Sequence, residues 1–286
     1  MSSTAVQCAG SRREACSRRA LRIAWVCLLA ARAVSAAPSG RPNLEGVWIT
    51  TQLSPTDARW KIEDFLCNGA FCTAQATDYM HSFLAEPATD ALPLKDVSER
   101  LRVYGRTYVT GLLTETGIQA SKGFEQKDDP VNRCVPTGFN FAAGPLPIEF
   151  KQFGDHVELR YEFWNSTRTI YTDGRDHPAK GSPTRLGHSI GWYESATLVV
   201  ETVGIEPHLT YWIDGARSSA RARVYERYSR SADGQRLEME RVFVDPVMLR
   251  RPLVTRESRL LAPGVQLMDY RCETLYKEGY QPKRTP

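Results

Sequence analysis

The strongest constraint on this chain is a hydrophobic alternation of period two that begins near residue 149. Val157, Leu159, Tyr161 and Phe163 alternate with Glu158, Arg160 and Glu162, so the apolar set lines one face of a strand. Strand-like runs follow at 168–171, 198–202, 224–230, 236–244, 255–261 and 265–274. Ser231-Ala232-Asp233-Gly234-Gln235 and Pro263-Gly264 separate the last two pairs of runs and read as hairpin connections. Strands joined without intervening helices predict a mainly β protein, an antiparallel meander. Closure into a barrel is the arrangement that leaves such a meander no exposed edge.

Ahead of this half the pattern differs. Residues 42–52, containing Gly46-Val47-Trp48, read as a first strand. Between 55 and 121 the apolar residues Ile62, Phe65, Leu66, Tyr79, Phe83, Leu84, Val97, Leu101, Tyr104, Tyr108 and Leu112 recur at spacings of three and four. That spacing predicts a helical insertion of two or three helices, broken at Pro87 and Pro93. Residues 128–148 carry Pro130, Pro136, Gly138, Gly144, Pro145 and Pro147 and read as a long structured loop. The expectation is one domain over 37–286, preceded by a leader.

The leader reading rests on the first 36 residues. Five arginines and one acid precede the apolar run Ile23–Ala31, Arg32 follows it, and Val34-Ser35-Ala36 supplies small residues for cleavage after Ala36. Ser17-Arg18-Arg19-Ala20-Leu21-Arg22 resembles a twin-arginine export signal. The apolar run is nine residues long, whereas a membrane-spanning helix needs about 20. The mature chain is therefore expected to be periplasmic or secreted, with no integral membrane segment. Beyond the leader, 31 basic residues face 32 acidic ones. That neutral body offers no field for tracking phosphates, which argues against nucleic acid as a partner. Four cysteines remain, and an even number in an oxidising compartment suggests two disulfides, with three connectivities open. Cys67 with Cys72, and Cys134 with Cys272, is the pairing adopted here. A four-thiolate zinc site would need two close cysteine pairs, and there is one.

Two resemblances add to this reading. Gly46-Val47-Trp48 resembles the G-x-W opening of lipocalin-like, or calycin, barrels. That likeness implies a lipocalin-like barrel with an arginine from a late strand, Arg259 or Arg271, over the Trp48 ring. More of the chain resembles a large family of secreted bacterial proteins. The segments are Arg168-Thr169-Ile170-Tyr171-Thr172-Asp173-Gly174-Arg175-Asp176-His177-Pro178, Gly187-His188-Ser189-Ile190-Gly191-Trp192 and Thr197-Leu198-Val199-Val200-Glu201-Thr202. Asp129-Pro130, Cys134-Val135-Pro136, Glu226-Arg227-Tyr228-Ser229-Arg230, Asp245-Pro246 and Tyr270-Arg271-Cys272-Glu273 extend it. The chain departs from that pattern at Tyr193-Glu194-Ser195-Ala196, where the acidic turn is altered, and at Gly215–Ala220, which lacks the histidines seen there. The resemblance implies a secreted barrel with shared polar positions and no particular reaction.

The richest polar stretch is 168–188. An imidazole beside a carboxylate can take and return a proton near neutral pH, and an arginine can hold developing negative charge. The catalytic candidates are His188, Asp173, Arg175 and His177. Asp173 or Asp176 would orient His188, and Arg168 or Arg175 would hold an oxygen. Arg168, Tyr171, Trp192, Arg227 and Tyr225 are the substrate-binding candidates. The bland alternative is a turn at Asp173-Gly174 with solvated arginines, and His177 held extended by Pro178. Ser189 is the centre of a literal G-x-S-x-G, but a nucleophile elbow needs a long helix after it. His177, His188 and His208 lack metal-ligand spacing, so no metal and no organic cofactor are expected.

The favoured expectation is an enzyme doing cofactor-independent acid/base chemistry of isomerase, cyclase, hydratase or lyase type on a small hydrophobic or aromatic molecule. The guest would sit in a hollow barrel whose mouth is rimmed by 168–188. A non-catalytic lipocalin-like carrier is the alternative, and an envelope interaction protein using the helical insertion is the third reading.

Overall fold

The computed structural model describes residues 40–66, 73–139, 144–210 and 215–272. Nine strands form a closed barrel in sequence order. They are β1 (Gly46–Ile49), β2 (Ile148–Gln152), β3 (His156–Tyr161), β4 (Ser166–Tyr171), β5 (His188–Glu194), β6 (Thr197–Val203), β7 (Arg223–Arg230), β8 (Arg236–Val244) and β9 (Leu253–Leu261). β1 closes the barrel by pairing antiparallel with both β2 and β9.

The expected meander needs one correction. An odd number of strands cannot alternate direction all the way round a closed ring, so one neighbouring pair must run parallel. That pair is β4 with β5, registered only at Ile170↔Ser189 and Tyr171↔Ile190. A parallel neighbour requires a crossover connection of about a dozen residues or more, and residues 172–187 are that crossover. Residues 168–188 therefore do not end in a hairpin; they return the chain to the end from which β4 began.

Between β1 and β2 lies the helical insertion that the three- and four-residue spacing predicts, with four helices where two or three were expected. It contains α1 (Ile62–Leu66), α2 (Ala74–Leu84), α3 (Leu94–Leu112) and α4 (Glu115–Ser121). Thr73 caps α2 by accepting from the Ala76 amide, and Thr114 caps α4 through the Gly117 amide. Pro87 opens a 3-10 turn and Pro93 is the N-cap of α3, which is where prolines are tolerated. Leu66, Met80, Phe83, Val97 and Leu101 give the insertion its own small core. Val109, Leu112 and Leu113 instead pack with Phe139, Ile205, Val224, Phe243, Leu249 and Leu253, closing one end of the barrel.

The described interior of the barrel is filled. Trp48, Ile148, Phe150, Val157, Leu159, Tyr161, Ile170, Leu198, Val200, Tyr228, Leu237 and Met239 fill its interior as one buried cluster with Leu44. The hydrophobic guest was expected to occupy this volume, and packed side chains stand there instead. Two further expectations change. The guanidinium over the Trp48 ring is that of Arg230, 5.3 Å from its centroid; Arg259 is fully buried and donates to the carbonyls of Gly144 and Leu146, and Arg271 pairs with Asp269. The run 265–274 is not a strand over its described residues. It crosses the turn between β3 and β4, where the Met268 amide donates to Glu162 and Asn165 to Asp269. Cys272 then forms a disulfide with Cys134. The leader and the Cys67–Cys72 pairing lie outside the described residues. No helix among the described residues is long and apolar enough to cross a membrane.

Candidate functional site

Strand alternation divides the polar residues of 168–230 into an inner and an outer set. Along β4, Ser166, Arg168 and Ile170 are buried while Thr169 and Tyr171 are partly exposed. On β5, Ser189 and Gly191 are buried, and His188, Ile190 and Trp192 face outward. The register then aligns Tyr171, Ile190, Glu201 and Tyr225 in one row across four strands.

The crossover lays its own residues onto this outer row. His177 Nδ1 lies 2.8 Å from His188 Nδ1, and His177 Nε2 lies 3.8 Å from a Glu201 oxygen. A 2.8 Å contact between two ring nitrogens holds one proton, so one ring donates and the other accepts. Glu201 is held on its other side by the Tyr225 hydroxyl at 3.2 Å and Arg223 at 3.0 Å. Tyr171 stacks on His188 with ring centroids 5.4 Å apart, and Arg175 lies 3.9 Å over the Tyr171 ring. Asp173 fixes Arg175 through bonds to Nε and Nη2, and this arginine holds the Asp173 carboxyl down at about 2. Burial, then the nearby Arg175 charge, depresses the His188 pKa below its ordinary value. That shift favours the neutral imidazole. The glycine ahead of it is required: Gly187 has φ +70°, and a Cβ there would meet the Val203 carbonyl oxygen at 2.7 Å.

Because β4 and β5 pair at only two positions, they leave a cleft beside the seam. It has a volume of about 360 Å³ and is lined by 167–169, Tyr171 and 184–189. His188, Arg185 and three threonines give that lining its polar character.

Four of the anticipated residues, His177, His188, Tyr171 and Arg175, thus come together, with Asp173 behind Arg175 and Tyr225 behind Glu201. Glu201 meets the imidazole pair at 3.8 Å from His177 Nε2, whereas Asp173 bonds Arg175. Glu201 lies in the β-branched run 197–202, and its alternation with buried Val200 and Thr202 is the signal that places it outward. Trp192 and Arg227 lie apart, both bonded to Glu194 on the outer surface. Ser189 lies within β5, buried and bonded to Thr202, so no nucleophile elbow exists there. Among the described residues no group of three His, Cys, Asp or Glu is placed to hold a metal.

Arg168 lines the cleft from β4 and carries its Nη2 inward, into the barrel. Its Nη2 donates to Glu226 at 2.6 Å, and Arg241 bonds both Glu226 and Glu257, which also receives Arg259. Tyr228 donates to Glu226 at 2.6 Å. Burial pushes both glutamates up, but the guanidiniums beside them prevail and hold each carboxyl below its ordinary value. Sequence reasoning missed this network, although the pattern Val224-x-Glu226-x-Tyr228 puts Glu226 on the apolar face. Arg168 Nε and Nη1 remain buried without a hydrogen-bond partner, at a cost of about 1–3 kcal/mol for such a group.

Compared with known proteins, the chain matches no family model, no curated protein and no solved structure.

Proposed function

We propose that the protein is an extracytoplasmic enzyme that performs cofactor-independent acid/base chemistry, of lyase or isomerase type, in the cleft beside His188. One observation carries the reading: the line of Glu201, His177 and His188 that ends at a cleft wall. If His188 carries its proton on Nδ1 and donates it to His177 Nδ1, its Nε2 is left with a free lone pair. A proton taken by that nitrogen makes an imidazolium whose charge is stabilised through His177 by Glu201. This is the logic by which a carboxylate orients and supports a histidine base. Tyr171 holds the ring plane by stacking. The disulfide supports the compartment.

The lining favours a small polar molecule over the hydrophobic guest expected for a hollow barrel. A carrier would need a lumen, and the described interior is occupied by side chains, so no observation favours that alternative. The test is proton exchange. Small molecules extracted from the producing cells would be incubated with the protein in heavy water and followed by mass spectrometry. A metabolite that gains deuterium with the wild-type protein but not with His188→Gln is the expected result. Exchange that persists in His188→Gln would overturn the assignment.

A further inference from the structure

We infer that this cleft seats an oxyanion, a carboxylate carried by the ligand, against the guanidiniums of Arg168 and Arg185. The inference rests on reading the cleft as the reactive site and names the class of molecule that enters it. Arg168 is 3% exposed and lines the cleft, and two of its nitrogens have no hydrogen-bond partner. A guanidinium carries five donors, and Glu226 and Tyr228 occupy only Nη2. Buried donors left over in this way call for a partner.

Arg185 supplies the second cation. Its Nη1 donates to the Thr137 carbonyl and its Nη2 to Ser166 Oγ, at 3.0 and 2.8 Å. Both partners are neutral, and burial lowers its pKa, as expected of a charge short of compensation. The two arginines share a neighbourhood: Phe139 lies under Arg168 at 4.8 Å, while Thr137, two residues earlier, accepts from Arg185. Behind them, among the described residues, Arg168 and Arg241 meet Glu226 and Arg241 also meets Glu257. Charge-assisted bonds to guanidinium are the strong ones. The cleft volume of about 360 Å³ admits a small organic acid.

Benzoate is the probe, with benzyl alcohol as its neutral counterpart and inorganic sulfate as a free oxyanion, titrated into the full chain labelled with nitrogen-15. Benzoate should shift the Arg168 and Arg185 Nε–H resonances saturably, and benzyl alcohol should not. Arg185→Gln should weaken benzoate by about tenfold or more, Arg185→Lys should recover part of the loss, and the distant charge loss Arg227→Gln should have no effect. Sulfate binding at the same resonances supports the seat and marks a free oxyanion as an occupant. Equal shifts with benzyl alcohol, or equal benzoate affinity in Arg185→Gln and Arg227→Gln, would overturn it. The two readings separate cleanly. His188-dependent proton exchange without benzoate binding sinks the oxyanion seat alone. Benzoate binding that depends on Arg185, together with exchange that survives His188→Gln, sinks the base and leaves the seat.

Discussion

Arg168 and Glu226 meet at 2.6 Å inside the barrel, with side chains 2% and 1% exposed. They join β4 to β7 within a buried network that also includes Arg241, Glu257 and Arg259. Desolvating two charges is expensive, and the pair is tolerable because Arg241 and Tyr228 also bond the carboxylate. Removing one partner leaves the others buried and uncompensated. Glu226→Gln should therefore cost about 3–5 kcal/mol of stability, measured by urea denaturation. A loss below about 1 kcal/mol, the range of an exposed pair, would contradict the buried assignment.

The same network sets the acid limit. Glu226 and Glu257 have folded-state pKa values below the ordinary 4.5. Their contribution is fully present above the unfolded value and is lost as pH falls through the lower folded value. Unfolding free energy should thus decline below about pH 4.5, and more steeply in the wild type than in Glu226→Gln. Identical pH profiles for the two proteins would show that the network is not responsible.

His188 acts in the same direction, over a higher pH range. Its folded pKa is below 6.5, so the unfolded chain takes up a proton first, and acidification from neutral pH costs stability until the folded pKa is reached. Nitrogen-15 titration should find His188 neutral at pH 7, and any activity should fall as pH drops through its pKa. Arg175→Gln removes a nearby positive charge and should raise that pKa. A His188 that titrates above 6.5 in the wild type would remove it as the neutral base.

Cys134 and Cys272 close a loop of 138 residues. A cross-link of that span restricts the unfolded chain, and Cys134→Ser should lose about 2–5 kcal/mol. The check is a comparison of oxidised wild type, reduced wild type and the variant by thermal unfolding. A reduced wild type as stable as the oxidised form would refute the contribution.

Gly187→Ala tests the backbone beneath the imidazole pair. The positive φ alone costs about 1–2 kcal/mol for a residue with a Cβ, and the Val203 carbonyl oxygen blocks it sterically. The variant should be less stable and should separate His188 from His177, which the imidazole chemical shifts would report. Wild-type stability and shifts would mean that the turn tolerates a side chain.

Much of the fold was legible because it depends on local pattern. The alternation at Val157, Leu159 and Tyr161 and the helical spacing from Ile62 to Leu112 both survive in the structure, since burial of one face is the reason for each period. Parity was less visible: nothing local in 168–188 says whether β5 returns antiparallel or crosses over, because the Asp173-Gly174 turn serves either route. The run 265–274 misled for a related reason. Apolar residues there cover the β3–β4 turn instead of pairing, and composition does not distinguish the two uses.

The sequence by itself determined a β-rich body with a helical insertion and the concentration of histidine, aspartate and arginine between 168 and 188. Only the tertiary structure decided that these groups gather on the outer wall beside a parallel seam, with Glu201 as their acid and Arg168 turned inward to Glu226. The physical reason is that a strand's period fixes which residues share a face but not which face is enclosed. That choice follows from how nine strands close, a property of the whole ring that no single segment carries.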